Sequence, residues 1–295
     1  MDVYHAGSRA VQDRVGVRED ADHVGRAVGE GIKPVAAAFL ELQPLLVLGA
    51  ADPATGAVWA SPLTGAPGFV RATGPRQMSV TGGVRPADPL ATALATEGTR
   101  VATIALDPRT RRRMRLNGRL RPTPRGFAVT AERVFSNCPR YIQRREAYEV
   151  AADRSPGETR RGTELTDAQR AFVESVDTSF IATVHEGEVE VSHKGGNPGF
   201  LRAPSPHELT WRDYPGNAMF LTLGNIALDP RAGLLFVDWS TGTVLQLTGE
   251  AHTEFGEDGE RRVRFTVREV VETPAAVPLR WSAPEYSPAN PAPAD

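Results

Sequence analysis

Ser192-His193-Lys194-Gly195-Gly196-Asn197-Pro198-Gly199-Phe200 holds the densest set of side chains able to do chemistry. It closes a run that alternates like a strand, so Ser192 and Lys194 fall on one face and His193 on the other. A hydroxyl and an ammonium on one face, followed by glycines that let backbone N–H groups come close, suit a phosphate. The same residues also fit a glycine and proline hairpin turn with a solvated lysine. A second candidate is Asp213-Tyr214-Pro215-Gly216-Asn217-Ala218-Met219-Phe220. There Asn217 reads as the N-cap of a helix whose free N–H groups and dipole attract an anion, or as a cap and nothing more. A strand pair joins the two stretches, so they are expected to converge.

Other residue types offer less. The six histidines, His5, His23, His185, His193, His207 and His252, show neither H-x-H nor H-x-x-x-H spacing, so no metal site is expected. Cys138, the one cysteine, has no internal disulfide partner. It reads as a packed thiol at a helix start, where a redox role would follow from a lowered pKa. No Gly-x-Ser-x-Gly, Walker loop or dinucleotide fingerprint occurs. Arg109, Arg111, Arg112, Arg113 and Arg115 read as a strand with a solvated face, not as a nucleic-acid site. No side chain is assigned a catalytic role.

The elements that must position these residues are written twice. At a constant offset of 131, Gly56–Ala72 lies over Gly187–Ala203 with nine of seventeen positions identical, a register that chance does not sustain. The same offset places Arg100–Asp107 on Arg231–Asp238 and Leu116-Asn-Gly118 on Leu247-Thr-Gly249. The first copy spans residues 1–150 with N-terminal helices, and the second spans 164–281. Residues 151–163 read as a linker, and the Pro/Ala-rich 282–295 as a disordered tail. In the second copy Thr166-Asp-Ala-Gln169 is a capping box. Strand-like runs follow at 179–184, 188–193, 200–203 and 208–212. A helix from Gly216-Asn217 to Asp229-Pro230 should bury Phe220, Leu223, Ile226 and Ala227. Strands at 234–238, 244–248 and 262–271 complete a mainly β copy with flanking helices, a small antiparallel barrel.

The copies differ where chemistry is at stake. Where the second has His193, Lys194 and Met219, the first has Pro62, Leu63 and Asp88. A dianion is not held by leucine and an acid, so the first copy's own site reads as degenerate, with Ser61, Thr64 and Arg71 left to contribute across an interface.

Composition bounds the partners. Lysine and arginine number 34 against 36 acids, a net charge of −2, which excludes broad electrostatic capture of nucleic acid or an anionic membrane. The most apolar window, 34–51, is broken by Glu41, Gln43 and Pro44 and is too short to span a bilayer. The start lacks the basic-then-apolar pattern of a secretory signal, so a cytoplasmic location is expected.

Phe180-Ile-Ala-Thr183, Ser192–Phe200, Asp213–Asn217, Leu223-Gly-Asn225, Asp229–Phe236 and Leu245–Gly249, in this order and spacing, resemble the pyridoxamine 5'-phosphate oxidase-like family. Asn137-Cys-Pro-Arg-Tyr-Ile-Gln143 and Pro278-Leu-Arg-Trp281 resemble a branch in which the unit is duplicated. The resemblance implies a split β-barrel that binds flavin mononucleotide (FMN) at a dimer interface. Here the interface would lie within one chain, as a pseudo-dimer, with a homodimer of whole chains also open to it. It implies that Ser192 and Lys194 hold the cofactor phosphate with His193 nearby. Trp211, Arg212 and Asp213 would line the ring or ribityl chain, and Asn217 and Met219 the phosphate end of the helix. Gln246 and Ser61 join this set from the remaining strand and from the first copy. Two departures stand out. Ala218-Met219 replaces a basic pair, and Val244-Leu245-Gln246 replaces an Arg-Gln-Val-Arg-like strand, which argues against a vitamin B6 phosphate substrate. The expected function is a flavin-dependent oxidoreductase serving a small-molecule substrate or electron donor. The alternatives are a haem or flavin carrier and a deazaflavin-dependent reductase.

Overall fold

The computed structural model describes residues 3–136, 138–257 and 259–291, so Asn137 of the motif above lies outside it. The first copy opens with helices α1 (Ala6–Val15), α2 (Arg18–Gly25) and α3 (Pro34–Glu41). Strands β1 (Leu45–Ala51), β2 (Val58–Thr64), β3 (Val70–Gly74) and β4 (Gln77–Thr81) follow, then helix α4 (Ala91–Ala95). The copy ends with β5 (Arg100–Asp107), β6 (Arg112–Thr123) and β7 (Gly126–Ser136). Two short strands, β8 (Tyr148–Val150) and β9 (Arg160–Gly162), lie in the connection. The second copy repeats the plan with α5 (Asp167–Ser175), β10 (Thr178–His185), β11 (Glu188–Gly195), β12 (Leu201–Ser205) and β13 (Glu208–Arg212). It continues with α6 (Leu221–Leu228), β14 (Arg231–Val237), β15 (Val244–Phe255), β16 (Arg261–Thr273) and β17 (Leu279–Trp281).

Duplication is carried into topology. The sheets are ordered β2-β1-β5-β6-β7-β4-β3 and β11-β10-β14-β15-β16-β13-β12, the same path strand for strand. The offset of 131 carries β3 onto β12 and β4 onto β13 without a residue of slippage. The fold is a tandem of two split barrels, mainly β with flanking helices.

The copies pack through strands that are apolar on both faces. On β1, Leu46 and Leu48 enter the first barrel's core while Leu45 and Val47 enter a shared one. On β10, Ile181 enters the second barrel's core while Phe180 and Ala182 join the shared cluster. Burial on both faces is why these strands read as continuous apolar runs without polar alternation. The result is an intramolecular pseudo-dimer.

Three local expectations need correction. Residues 282–291, read as a disordered tail, are anchored: Glu285 bridges Arg111 and Arg144, and Asn290 bonds Gln143 and Asn197. Polar side-chain anchoring, which apolar patterning does not register, holds this segment; residues 292–295 lie outside the described part. The 151–163 linker contributes β9, which pairs with β16. Helix α6 begins at Leu221 and not at Gly216-Asn217. Ala218 (φ 60°) and Phe220 (φ 52°) adopt left-handed backbone, which cannot propagate a right-handed helix.

Helix α6 is buried from Leu221 to Ile226, whereas Ala227 is exposed and Phe220 half-buried. The reason lies in the other copy: α1 seats on α6. A Cβ on Gly224 would stand 2.5 Å from the backbone N of Ser8, so the approach requires glycine. His5 Nε2 donates to Asn225 Oδ1 at 2.8 Å, and Gln12 Nε2 donates to the Met219 carbonyl at 3.0 Å.

Candidate functional site

A cleft opens between the copies, with an enclosed volume of about 120 Å³ beneath a wider mouth. From the second copy the end of β11 gives it Ser192, His193 and Lys194, and the end of β13 gives it Trp211, Arg212 and Asp213. The loop before α6 contributes Asn217 and Met219. Eight of the ten residues expected at the cofactor therefore share one cavity. The first copy contributes Ile104, Arg113, Arg115, Arg140 and Tyr141.

Strand alternation on β11 holds as read: Ser192 and Lys194 are half-buried, and His193 is buried on the opposite face. Thr222 Oγ1 donates to Ser192 Oγ at 3.0 Å, which leaves the Ser192 proton free to donate elsewhere. Lys194 Nζ donates to Asp213 Oδ1 at 2.7 Å, and Arg261 Nε to Asp213 Oδ2 at 3.2 Å. Asp213 therefore orients the ammonium. Asn217 caps no helix; its Oδ1 accepts from the backbone N of Met219 at 3.3 Å, inside the left-handed turn.

Arg113 Nη1 donates to Nδ1 of His193 at 2.9 Å. Arginine cannot accept, so Nδ1 is unprotonated and the proton of the neutral ring sits on Nε2. Burial holds the His193 pKa well below the ordinary value, reinforced by the charges of Arg113 and Lys194. Burial also lowers Arg113, to about 10, with Arg115 adding to the effect. Arg115 and Arg133 converge on the buried carboxylate of Glu190.

Two features define what this cleft can take. The lining carries five cations, Arg113, Arg115, Arg140, Lys194 and Arg212, against one acid, Asp213. Four buried side-chain nitrogens of lining residues, Arg113 Nε, Arg115 Nε, His193 Nε2 and Trp211 Nε1, have no hydrogen-bond partner among the described residues. All four are N–H donors. The arrangement suits an anionic ligand rich in acceptors.

Gln246 and Ser61 are not in this cleft. Gln246 Nε2 donates to Ser61 Oγ at 2.8 Å and to the Ala60 carbonyl at 2.9 Å, and Ser61 donates to Asp88 Oδ1 at 2.6 Å. All three residues are buried, and burial raises the Asp88 pKa. Under the 131-residue offset Ser61, Asp88 and Gln246 are the counterparts of Ser192, Met219 and Arg115. Each copy's β2-type strand thus meets the β6-type strand of the other copy. In the first copy's version the space is filled by a hydrogen-bonded plug.

That exchange exposes what the sequence reading missed. Arg113 and Arg115 do not lie on a solvated face; they project from β6 onto the second copy, with Arg115 4% exposed. At the positions that the 131-residue offset pairs with Val244-Leu245-Gln246, the first copy has Arg113-Met114-Arg115, and Arg113 and Arg115 line the cleft. The repeat offset linking Gln246 to Arg115, combined with a pseudo-dimer, held that signal. Cys138 lies in the loop after β7, followed by Pro139 and by Tyr141 in left-handed backbone, and not at a helix start. Among the described residues no cluster of His, Cys, Asp or Glu is placed to hold a metal, and no helix is long and apolar enough to cross a membrane.

No curated protein matches the chain. Among solved structures it is similar to HupZ of Group A Streptococcus, at 14% identity over 35% of this chain and 90% of that one, TM-score 0.30. It is similar to a FAD-binding protein from Mesorhizobium loti (13% identity, 40% and 98% covered, TM-score 0.30). A FAD-binding protein from Mycobacterium smegmatis gives 14% identity, 39% and 98% covered, and TM-score 0.28. Residues 165–291, which hold Ser192, Lys194, Asp213 and the α6 loop, match the family model described as pyridoxamine 5'-phosphate oxidase. It is thus the second copy that is similar to the pyridoxamine 5'-phosphate oxidase family.

Proposed function

We propose that the cleft binds one flavin, as FMN, per chain and that the protein is a flavin-dependent oxidoreductase acting on a small molecule. The observation that carries this reading is a cleft lined, among the described residues, by five cations and one acid, with the Ser192 hydroxyl proton left free beside Lys194. A flavin offers ring carbonyls and nitrogens, ribityl hydroxyls and a phosphate dianion, which match such a donor set. When bound, it supplies the redox chemistry, and the protein supplies position and charge.

Lys194, Arg113 and Arg115 are the residues assigned to the phosphate, with the free Ser192 hydroxyl proton beside them. His193, neutral and with its Nε2 proton fixed by Arg113, serves as a donor that adds no charge. Trp211 backs the cleft from the core of the second barrel. Among the described residues His193 is the one histidine lining the cleft, and its Nδ1 is taken by Arg113, which favours a flavin over an axially ligated haem. The plug of Ser61, Asp88 and Gln246 supports one site per chain. The charge balance and single thiol suit a cytoplasmic setting.

The test is to purify the protein, record its visible spectrum and identify any released chromophore by mass spectrometry. About one FMN per chain supports the reading. Two per chain, or no uptake of added flavin, overturns it.

A further inference from the structure

Arg140 and Tyr141 reach the cleft from the connection after β7, and Tyr141 holds left-handed backbone there, with φ 67°. A residue other than glycine keeps that conformation only where its surroundings over-determine it. Here they do. The Tyr141 carbonyl presses on Gly195, the residue after Lys194, where a Cβ would stand 2.0 Å from the oxygen. The Tyr141 hydroxyl donates to the Pro215 carbonyl at 2.8 Å, in the loop before α6.

Gln143, 2% exposed, fastens this segment on two sides. Its Nε2 donates to the carbonyls of Tyr141 at 3.0 Å and Gly196 at 3.3 Å. Its Oε1 accepts from the backbone N of Ser287 at 2.7 Å and from Asn290 Nδ2 at 3.0 Å. Asn290 Nδ2 also donates to Asn197 Oδ1 at 2.9 Å. Arg144 and Glu285 exchange backbone hydrogen bonds, and the Glu285 carboxylate meets Arg111 and Arg144. Residues 282–291 thus lie along the segment as a strap, and one buried amide joins the strap, the segment and the end of β11. The repeat gives that amide a counterpart. Arg9-Ala-Val-Gln12 lies over Arg140-Tyr-Ile-Gln143 at the offset of 131, and Gln12 also directs its Nε2 to a carbonyl of the cleft lining, that of Met219.

We propose that residues 282–291 are a strap that holds Arg140 and Tyr141 against the cleft, and that Gln143 is the positioning residue through which the strap retains a bound ligand. Without the strap Gln143 Oε1 loses both donors, a buried acceptor is left unpaired, and the left-handed turn at Tyr141 relaxes. The strap slows the escape of the ligand and leaves its entry unchanged. The effect on ligand rests on the flavin reading; the closure of the segment does not.

Cys138, the single thiol, is half-buried two residues before Arg140 and reports on the segment. In the flavin-free chain its reaction with an aromatic disulfide reagent should quicken at least about tenfold on deletion of residues 284–295 and in Gln143→Met, as a local opening requires. Asn290→Ala, a milder change, should shift the rate in the same direction. Urea midpoints of the two substituted chains should stay near that of the wild type. In the loaded protein FMN should dissociate at least about tenfold faster from the same variants, with its association rate within about twofold. Wild-type thiol rates in the variants overturn the strap whatever the flavin does. A faster thiol matched by an equal loss of global stability also overturns it, as does FMN release at the wild-type rate from an opened segment. If the protein takes up no flavin, the flavin reading falls, and the thiol comparison alone decides the strap.

Discussion

Arg113 and His193 stand 80 residues apart in sequence and on different copies, yet they are joined by a 2.9 Å hydrogen bond that fixes the tautomer of the ring. The copies do not merely touch at the cleft. Each supplies what the other's side chain needs to be useful.

That bond predicts a pH signature. The unfolded imidazole takes up a proton below about pH 6.5, whereas the folded ring stays neutral. The stability it contributes is complete above that pH and is lost as pH falls below it, by up to about 1.4 kcal/mol per unit. His193→Asn should remove that slope and leave the smaller one from half-buried His5, whose pKa burial also lowers. Urea midpoints of both proteins at about pH 7.5 and about pH 5 measure the difference. Equal acid losses would contradict the neutral, buried ring.

Lys194→Ala should weaken flavin binding about tenfold to hundredfold, the scale of one charge-assisted contact, with little change in melting temperature. The side chain is partly exposed, so its loss leaves no cavity in the core. Equilibrium dialysis against FMN reads the affinity. Wild-type retention would remove Lys194 from the phosphate site.

Arg115→Gln places the second copy's residue in the first copy's strand. Glu190 would keep only Arg133, at 3.3 Å, and a buried carboxylate would be left short of charge. The expected loss is about 3 kcal/mol, seen in chemical denaturation. Adding Glu190→Gln should recover part of it, because the stranded charge goes too. A double variant less stable than the single would sink this account.

Gly224→Val should drive α1 from its seat, since even a Cβ there meets Ser8 and its neighbours. A loss of about 1–3 kcal/mol is expected from overpacking. Limited proteolysis should then cut near residues 3–25 before the barrels are attacked. An N-terminus as resistant as wild type would show that α1 does not need this contact.

How much of this could be read from the residues depended on the range of the interaction. The capping box of Thr166 and Gln169 was legible because both hydrogen bonds close within one turn. β3 and β12 were legible because the repeat marks them. The start of α6 was not, since nothing in Ala218 or Phe220 announces left-handed backbone. Arg113 and Arg115 were misread because alternation says which side chains share a face, not whether water or another barrel covers it. Ser61 and Gln246 did meet across the interface, but in a buried hydrogen-bonded set with Asp88 and not in the cleft.

The seating of α1 on α6 also sets a timetable. His5 cannot meet Asn225 until more than 220 further residues have been made, which at about 5–20 residues per second is about 10–45 s of synthesis. Through that interval the first barrel can close while its leading helix has no partner, and the loop at Met219 gains its support from Gln12 only afterwards. Support of the binding-site loop is therefore deferred until the leading helix meets α6, well after the strands of the first barrel have been made.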